Sequence, residues 1–335
     1  MATYSPYSNA RMQLGRESTY GTAVAATTVW RGPFSMIEDT RERTIVEEQI
    51  GAFVQAERSY DSLISARWSQ PAAPLTYEQV CHILEAGVKT VTPSGTGAVK
   101  TRVYNYPFSG TSVNTIKTYT IETGSATVSA DVYEMEMAFV EDFEFSGAFG
   151  EAWTMQSNWV GRQMTATTFT GPIAVQTVNE ALFNHCLLYI DASGGTIGTT
   201  QKTGVLTAAS VRVKTGLMQV PVGDGQLYSA DYKWTQPEIT FSITMELEDG
   251  SIVATERGIY RSNGTRLIRL KTSPSASLQF QIDMAAKYDS ISDYENSDGN
   301  TTVTFEGHGV ASSADSLALT FTVLNSVTAY GSGGH

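Results

Sequence analysis

The sequence predicts a mainly β protein made of two tandem halves, each a sheet with one short flanking helix. Three observations predict it. Apolar residues recur with period two in four segments, as they do in strands with one buried face. Helical spacing is confined to two short segments. The order strand, helix, hairpin-rich sheet occurs in each half of a 335-residue chain, which is long enough for two domains.

Residues 1–30 carry Tyr4, Tyr7, Tyr20 and Trp30 without an amphipathic period, and read as an arm ordered by a partner surface. Residues 40–61 set Glu42, Glu47, Glu48, Glu57 and Asp61 around Ile45, Val46, Ile50, Phe53 and Val54. That pattern is a long hairpin with Gly51 near its tip, either reaching a neighbouring subunit or pairing within its own sheet. Residues 63–69 alternate as a strand. In 75–87, Thr76 and Gln79 have capping-box spacing and Leu75 with Val80 fits a hydrophobic staple. Val80, Ile83, Leu84 and Val88 form the apolar stripe of a helix, with Gly87 as a left-handed cap.

The next segment alternates most strongly. Tyr133, Met135, Met137, Phe139, Phe143 and Phe145 alternate with Glu134, Glu136, Ala138, Val140, Asp142 and Glu144, and Glu141 interrupts the apolar row. One face is apolar and the other acidic. Trp153, Met155 and Trp159 continue the period beyond a turn at 147–150, which predicts a hairpin.

In the second half, residues 211–237 form a counterpart hairpin turning at Pro221 and Gly223-Asp224-Gly225. Ile239 to Leu247 alternate as a strand, a weaker helix covers 251–262, and Leu317, Leu319, Phe321 and Val323 alternate in the closing sheet, 278–327. Gly258 inside that helix costs about 1 kcal/mol relative to Ala. A cut near Thr170-Gly171-Pro172 leaves 12 bases and 18 acids before it, then 10 bases and 16 acids after it, so each half carries −6. A degenerate duplication explains this, with domains 1–171, including the N-terminal arm, and 172–335.

Several chemistries are excluded. Acids outnumber bases 34 to 22, a net −12, so no generally basic surface grips phosphates. Cys81 and Cys186 have no CxxC spacing, so neither a zinc site nor a disulfide framework is expected, and assembly in the cytosol is. The N-terminus lacks the apolar core of a secretory signal and no stretch approaches ~18 apolar residues, so neither export by that route nor a membrane span is expected. Among His82, His185, His308 and His335 there is no HxxxH pair, and His185-Cys186 point to opposite faces of a strand. Residues 95–100 lack P-loop spacing, while 293–300 lack the glutamate an EF-hand needs at 305, where Phe305 sits. The chain is therefore read as a non-enzyme with no cofactor or metal.

Arg16-Glu17-Ser18-Thr19-Tyr20-Gly21-Thr22-Ala23 resembles the E-x-x-x-G-T-A opening of the tail tube proteins of long-tailed bacteriophages. Leu75-Thr76-Tyr77-Glu78, the acidic-faced strand ending at Phe145-Ser146-Gly147, and the closing 317–327 follow in that family's order. The chain thus resembles the major tail protein family, in its larger variety with paired tube domains; tail terminators and other tube-like tail proteins fit the same order. The resemblance implies two tandem tube-type β-sandwich domains that close a β-barrel tube on oligomerisation. It implies a virion structural protein of the tail, assembled in the host cytoplasm into stacked homo-oligomeric rings. Three copies would form each pseudo-sixfold ring. Tape measure, terminator and distal tail proteins are its expected partners, and DNA transits without specific binding. Glu134, Glu136, Asp142 and Glu144, with Glu47 and Glu48, are then the expected lumen lining. Ile50, Gly51, Phe53, Val54, Pro221 and Asp224 are the expected inter-subunit hairpin residues. The residues leave a second class open: a soluble carbohydrate-binding or glycoside-active β-sandwich with a carboxylate-lined groove.

Overall fold

The computed structural model describes residues 6–51, 53, 58–95, 97–107, 113–128, 130–248 and 252–330. Strand dominates among them. The first half contains β1 (Ala10–Arg16), β2 (Thr28–Val29), β3 (Glu38–Ile45), β4 (Ser59–Pro74), α1 (Val80–Gly87), β5 (Lys100–Asn105), β6 (Tyr119–Ser125), β7 (Val132–Ala148), β8 (Thr154–Gly161) and β9 (Met164–Ala166). The second contains β10 (Cys186–Ala192), β11 (Gln201–Lys202), β12 (Leu206–Lys214), β13 (Leu217–Val220), β14 (Asp231–Trp234), β15 (Glu238–Glu246), α2 (Ile252–Arg261), β16 (Arg266–Ser275), β17 (Leu278–Ile291), β18 (Glu295–Ser297), β19 (Asn300–Gly309) and β20 (Leu319–Asn325).

The antiparallel pairings run in the same series in both halves. In the first, β1 pairs β6, β6 pairs β7, β7 pairs β8 and β9, β8 pairs β4, and β4 pairs β3. In the second, β10 pairs β16, β16 pairs β17, β17 pairs β19 and β20, β19 pairs β15, and β15 pairs β12. Each long strand has a bulge at the matching point, between Val140 and Asp142 in β7 and between Tyr288 and Ser290 in β17.

Among the described residues two pairings between named strands join the halves. Residues 142–148 of β7 pair with 208–214 of β12, and β5 pairs with β20. Most strands therefore belong to one large antiparallel sheet, with β13 and β14 as a separate ribbon. The apolar interior is shared as well: Phe145 meets Phe280 at 5.3 Å and Phe321 at 5.7 Å between ring centroids, and Phe143 meets Phe321 at 5.8 Å.

The structure corrects the apolar row of β7. A bulge at Met137, whose φ is 56°, shifts the register against β6 between Tyr119 and Ile121. Met137 and Phe139 consequently turn away from the main core and pack with Ile116, Val160 and Leu217. The row facing the main core is Met135, Ala138, Val140, Phe143 and Phe145. Two bulges, each shifting the alternation by one, keep both ends of β7 on that core.

The N-terminal arm is also corrected. Residues 10–16 are a strand held between β2 and β6, and Met12, Gln13 and Leu14 are buried. A strand covered on both faces has no alternation to reveal it.

The first helix is shorter than its pattern, because the Leu75 amide donates to the Trp153 carbonyl at 2.6 Å and its carbonyl accepts from Ala181 at 2.9 Å, which fixes it in extended pairing. Thr76 Oγ1 does accept the Gln79 amide at 3.2 Å, as the capping pattern requires. Gly87 is not a left-handed cap; it is the last helical residue. A Cβ there would lie 3.1 Å from Val140 Cβ and 3.2 Å from Thr215 Cγ2, so glycine lets α1 approach β7. In α2 a Cβ on Gly258 would meet nothing within 4 Å. Gly87→Ala should therefore destabilise the protein by about 1–3 kcal/mol. Gly258→Ala should stabilise it by up to about 1 kcal/mol. Denaturant unfolding of both variants checks the contrast.

Candidate functional site

The open face of the central sheet is built by β8, β7, β12, β15 and β19. Alternate residues of these strands face the core, including Phe143, Val211, Phe241 and Phe305. Their neighbours project outward: Asp142, Glu144 and Ser146 from β7, Ser210, Arg212 and Lys214 from β12, and Ser242, Thr244, Thr304 and Glu306 beyond them.

Partners surround the acids on this face. Asp142 accepts from Asn158 Nδ2 at 3.1 and 3.2 Å and from Arg212 at 3.3 Å. Glu144 accepts from Gln156 Nε2 at 3.1 Å. Arg67 pairs with Glu141 at 2.9 Å and Lys214 with Glu238 at 2.9 Å. Between the charges run hydroxyls, with Ser146 and Thr154 2.7 Å apart and Thr244 and Thr304 2.9 Å apart. The surface mixes both signs with small polar groups.

Glu134 and Glu136 do not join Asp142 and Glu144 there. They lie where β7 pairs with β6 and β9, before the bulges carry it into the central sheet. Glu134 sits opposite Glu122, whose buried carboxylate accepts from Gln13 Nε2 at 3.0 Å and from the Thr170 amide at 2.8 Å and hydroxyl. Glu136 is buried and accepts from Gln163 Nε2 at 3.2 Å. Burial, and then the neighbouring Glu122 and Glu136, hold the Glu134 carboxyl above the usual carboxylate range. Burial likewise raises Glu136.

Of the hairpin residues, Phe53 is fully open to solvent, Ile50 is 67% exposed, and Gly51 has φ +79°. Val54 lies outside the described residues. Glu47 is exposed, and Glu48 pairs with Arg58 below the tip. Pro221 and Asp224 lie in the exposed loop joining β13 to β14. That loop rests on the first half of the same chain: the Leu227 carbonyl accepts from Ile64 at 2.9 Å, and Arg162 donates to Ser229 at 3.1 Å and Ala230 at 2.8 Å.

The chemistry-bearing pairs have structural surroundings. Burial pushes the Cys186 thiol up to about 12, away from a thiolate nucleophile. His82 is buried against the Tyr119 hydroxyl at 3.1 Å. Residues 297–300 are a tight hairpin turn, with Asp298 at φ 49° and Gly299 at φ 93°.

Pattern reading missed what Glu17 does. Its buried carboxylate accepts from the Gly21 amide at 2.8 Å, the Thr118 and Thr120 hydroxyls at 2.6 and 3.1 Å, and the Met137 amide at 2.8 Å. The E-x-x-x-G spacing thus has a physical basis, and the same carboxylate holds the first bulge of β7. Each helix also buries one glutamate: Glu85 bonds Arg16 at 2.9 Å and Tyr119 at 3.1 Å, and Glu256 bonds Arg266 at 2.8 Å and Tyr288 at 3.0 Å.

No protein-family model matches this chain, and a search of curated proteins returns no match.

Glu17→Ala leaves four donors without their acceptor and should cost on the order of 3 kcal/mol or more in unfolding free energy, with Glu17→Gln losing less. Glu134 gives a pH test. A carboxyl raised in the folded state contributes stability that is full below its unfolded pKa and is lost as pH rises through the folded one. Glu134→Gln should therefore stabilise the protein at pH 7 by roughly 0.2–1 kcal/mol, the range for a cross-strand charge pair. The gain should vanish at pH 4, as thermal melts at both pH values would reveal.

Proposed function

We propose that this chain is a virion structural protein that self-assembles into stacked rings, forming a tail tube through which DNA passes. One observation carries this reading: the same series of pairings occurs twice, and the two series are fused edge to edge through β7 and β12. A unit that already joins its own repeat by strand addition has the architecture of a ring segment, since a head-to-tail contact whose rotation divides a full turn closes into a ring. The two repeats correspond to domains 1–171 and 172–335, each with its short helix. Three copies then supply six repeats per ring. Closure also uses up strand edges that would otherwise promote uncontrolled association.

The central sheet face supports a conduit. Acids there have amide or basic partners, hydroxyls fill the spaces, and the chain carries a net −12. Such a wall offers duplex DNA little counterion release and hence little grip. Asp142 and Glu144 are the lumen-lining residues in this reading. The exposed Ile50 and Phe53 are the apolar tip that a neighbouring ring covers. Tape measure, terminator and distal tail proteins are the partners of the finished tube.

Negative-stain microscopy of the purified chain should reveal rings or tubes with three copies per ring. A monomer at every concentration, with measurable sugar affinity, would instead favour a carbohydrate-binding module. Replacing Asp142 and Glu144 with lysine should cost about 1–2 kcal/mol, because two surface pairs are lost and each lysine stands opposite a base, Lys214 or Arg212. Assembly should survive while the tubes retain DNA at low salt. Each new phosphate contact should steepen the log–log salt dependence of that retention by about 0.9.

A further inference from the structure

We infer that the outer edge of β3 pairs with the end of β17 in a second copy of this chain, Thr40 opposite Ser290, in the register already used between β12 and β7. This rests on the ring reading above and adds to it which edges meet and which residues face each other.

The alignment of the two pairing series fixes the register. The bulges set Glu141 against Asp289, so Asp142 corresponds to Ser290. Across the next strand Asn158, opposite Asp142, corresponds to Glu306, opposite Ser290, and Trp159 therefore corresponds to Gly307. Trp68 pairs with Trp159 and Phe241 with Gly307, which aligns β4 with β15. Glu38 pairs with Arg67 and Arg212 with Thr240, so Glu38 corresponds to Arg212 and Thr40 to Lys214. Within the chain, Lys214 lies opposite Asp142. Carried over, Thr40 lies opposite Ser290 of the second copy.

The two edges are suited to each other. Every residue of β3 is exposed, although the strand is eight residues long, and its only strand partner among the described residues is β4. A strand of that length with an open edge is a template for pairing unless something covers it. Beyond residue 286, β17 pairs only with β19 among the described residues, which leaves its opposite edge open. One step along, the Thr215 amide donates to the Glu141 carbonyl at 2.9 Å within the chain. The matching step brings Arg41 beside Asp289. Both are charged and exposed, Arg41 holding Asp39 and Asp61, and Asp289 holding His308. Opposite charges at this step favour the pairing and disfavour a slipped one.

Cysteine pairing tests the register, since directly opposed residues of antiparallel strands have Cα atoms about 4.5–5.5 Å apart, within disulfide reach. The full-length Thr40→Cys, Ser290→Cys double variant, oxidised with diamide, should give covalent dimers and a closed trimer on a non-reducing gel. Neither single variant should do so. Asp39→Cys with Ser290→Cys, shifted by one residue and so on the opposite face, should cross-link at least tenfold less. In a second, independent test, Arg41→Asp should lower ring yield about tenfold, and Arg41→Asp with Asp289→Arg should restore it. Rings that form without the Thr40–Ser290 cross-link, or that link equally well through the shifted pair, would overturn the register and leave the ring reading standing. Failure of the charge exchange to rescue would count against it too. A wild-type chain that stays monomeric would overturn both.

Discussion

The hydrogen bonds between β7 and β12 are the interaction on which the rest of the structure depends. They turn two sheets into one and bring the aromatic residues of β7 onto those of β17 and β20. To reach β12, β7 must first leave the layer it shares with β6 and β9. A strand cannot change layers without changing which side chains face inward, unless extra residues reset the alternation. The bulges at Met137 and after Val140 do this, and the Glu17 carboxylate, accepting the Met137 amide, ties the first of them to the loop after β1. Gly87 then lets α1 press against Val140 at the second. A buried acid, a helix glycine and two irregular residues thus serve one strand crossing.

Much of the fold was legible in the sequence because half-buried strands record their burial as alternation. The strand from Ile239 and the hairpin after Phe145 are found where that pattern predicts. Legibility failed where both faces are covered or where alternation is interrupted. Met12, Gln13 and Leu14 look irregular because neither face of β1 meets water. Met137 and Phe139 look like members of the inward row because a bulge leaves no mark in residue type. The joint between the halves was illegible too, since backbone pairing at an edge is set by the partner strand rather than by local sequence.

The acids illustrate the same limit. Read along the chain, Glu134, Glu136, Asp142 and Glu144 form one series; in space they have two jobs. Glu134 lies opposite the carboxylate that anchors Thr170, in the segment connecting the halves, and Glu136 holds Gln163. Asp142 and Glu144 lie on the open sheet, bonded to Asn158, Arg212 and Gln156. Other acids are structural, with Glu17, Glu85 and Glu256 buried and each holding several donors. Only part of the net −12 is therefore surface charge that passing DNA would meet.

In the proposed ring the joint inside the chain is repeated between chains. Backbone amide hydrogen exchange, compared before and after assembly, tests this repetition, because among the described residues β12 already has strand partners on both edges and β3 on one. Peptides covering 208–214 should be protected in both states, while in 38–42 the amides not bonded to β4 should exchange rapidly in the free chain and become as protected as 208–214 once assembled. Rapid exchange at 38–42 in the assembled form would contradict it.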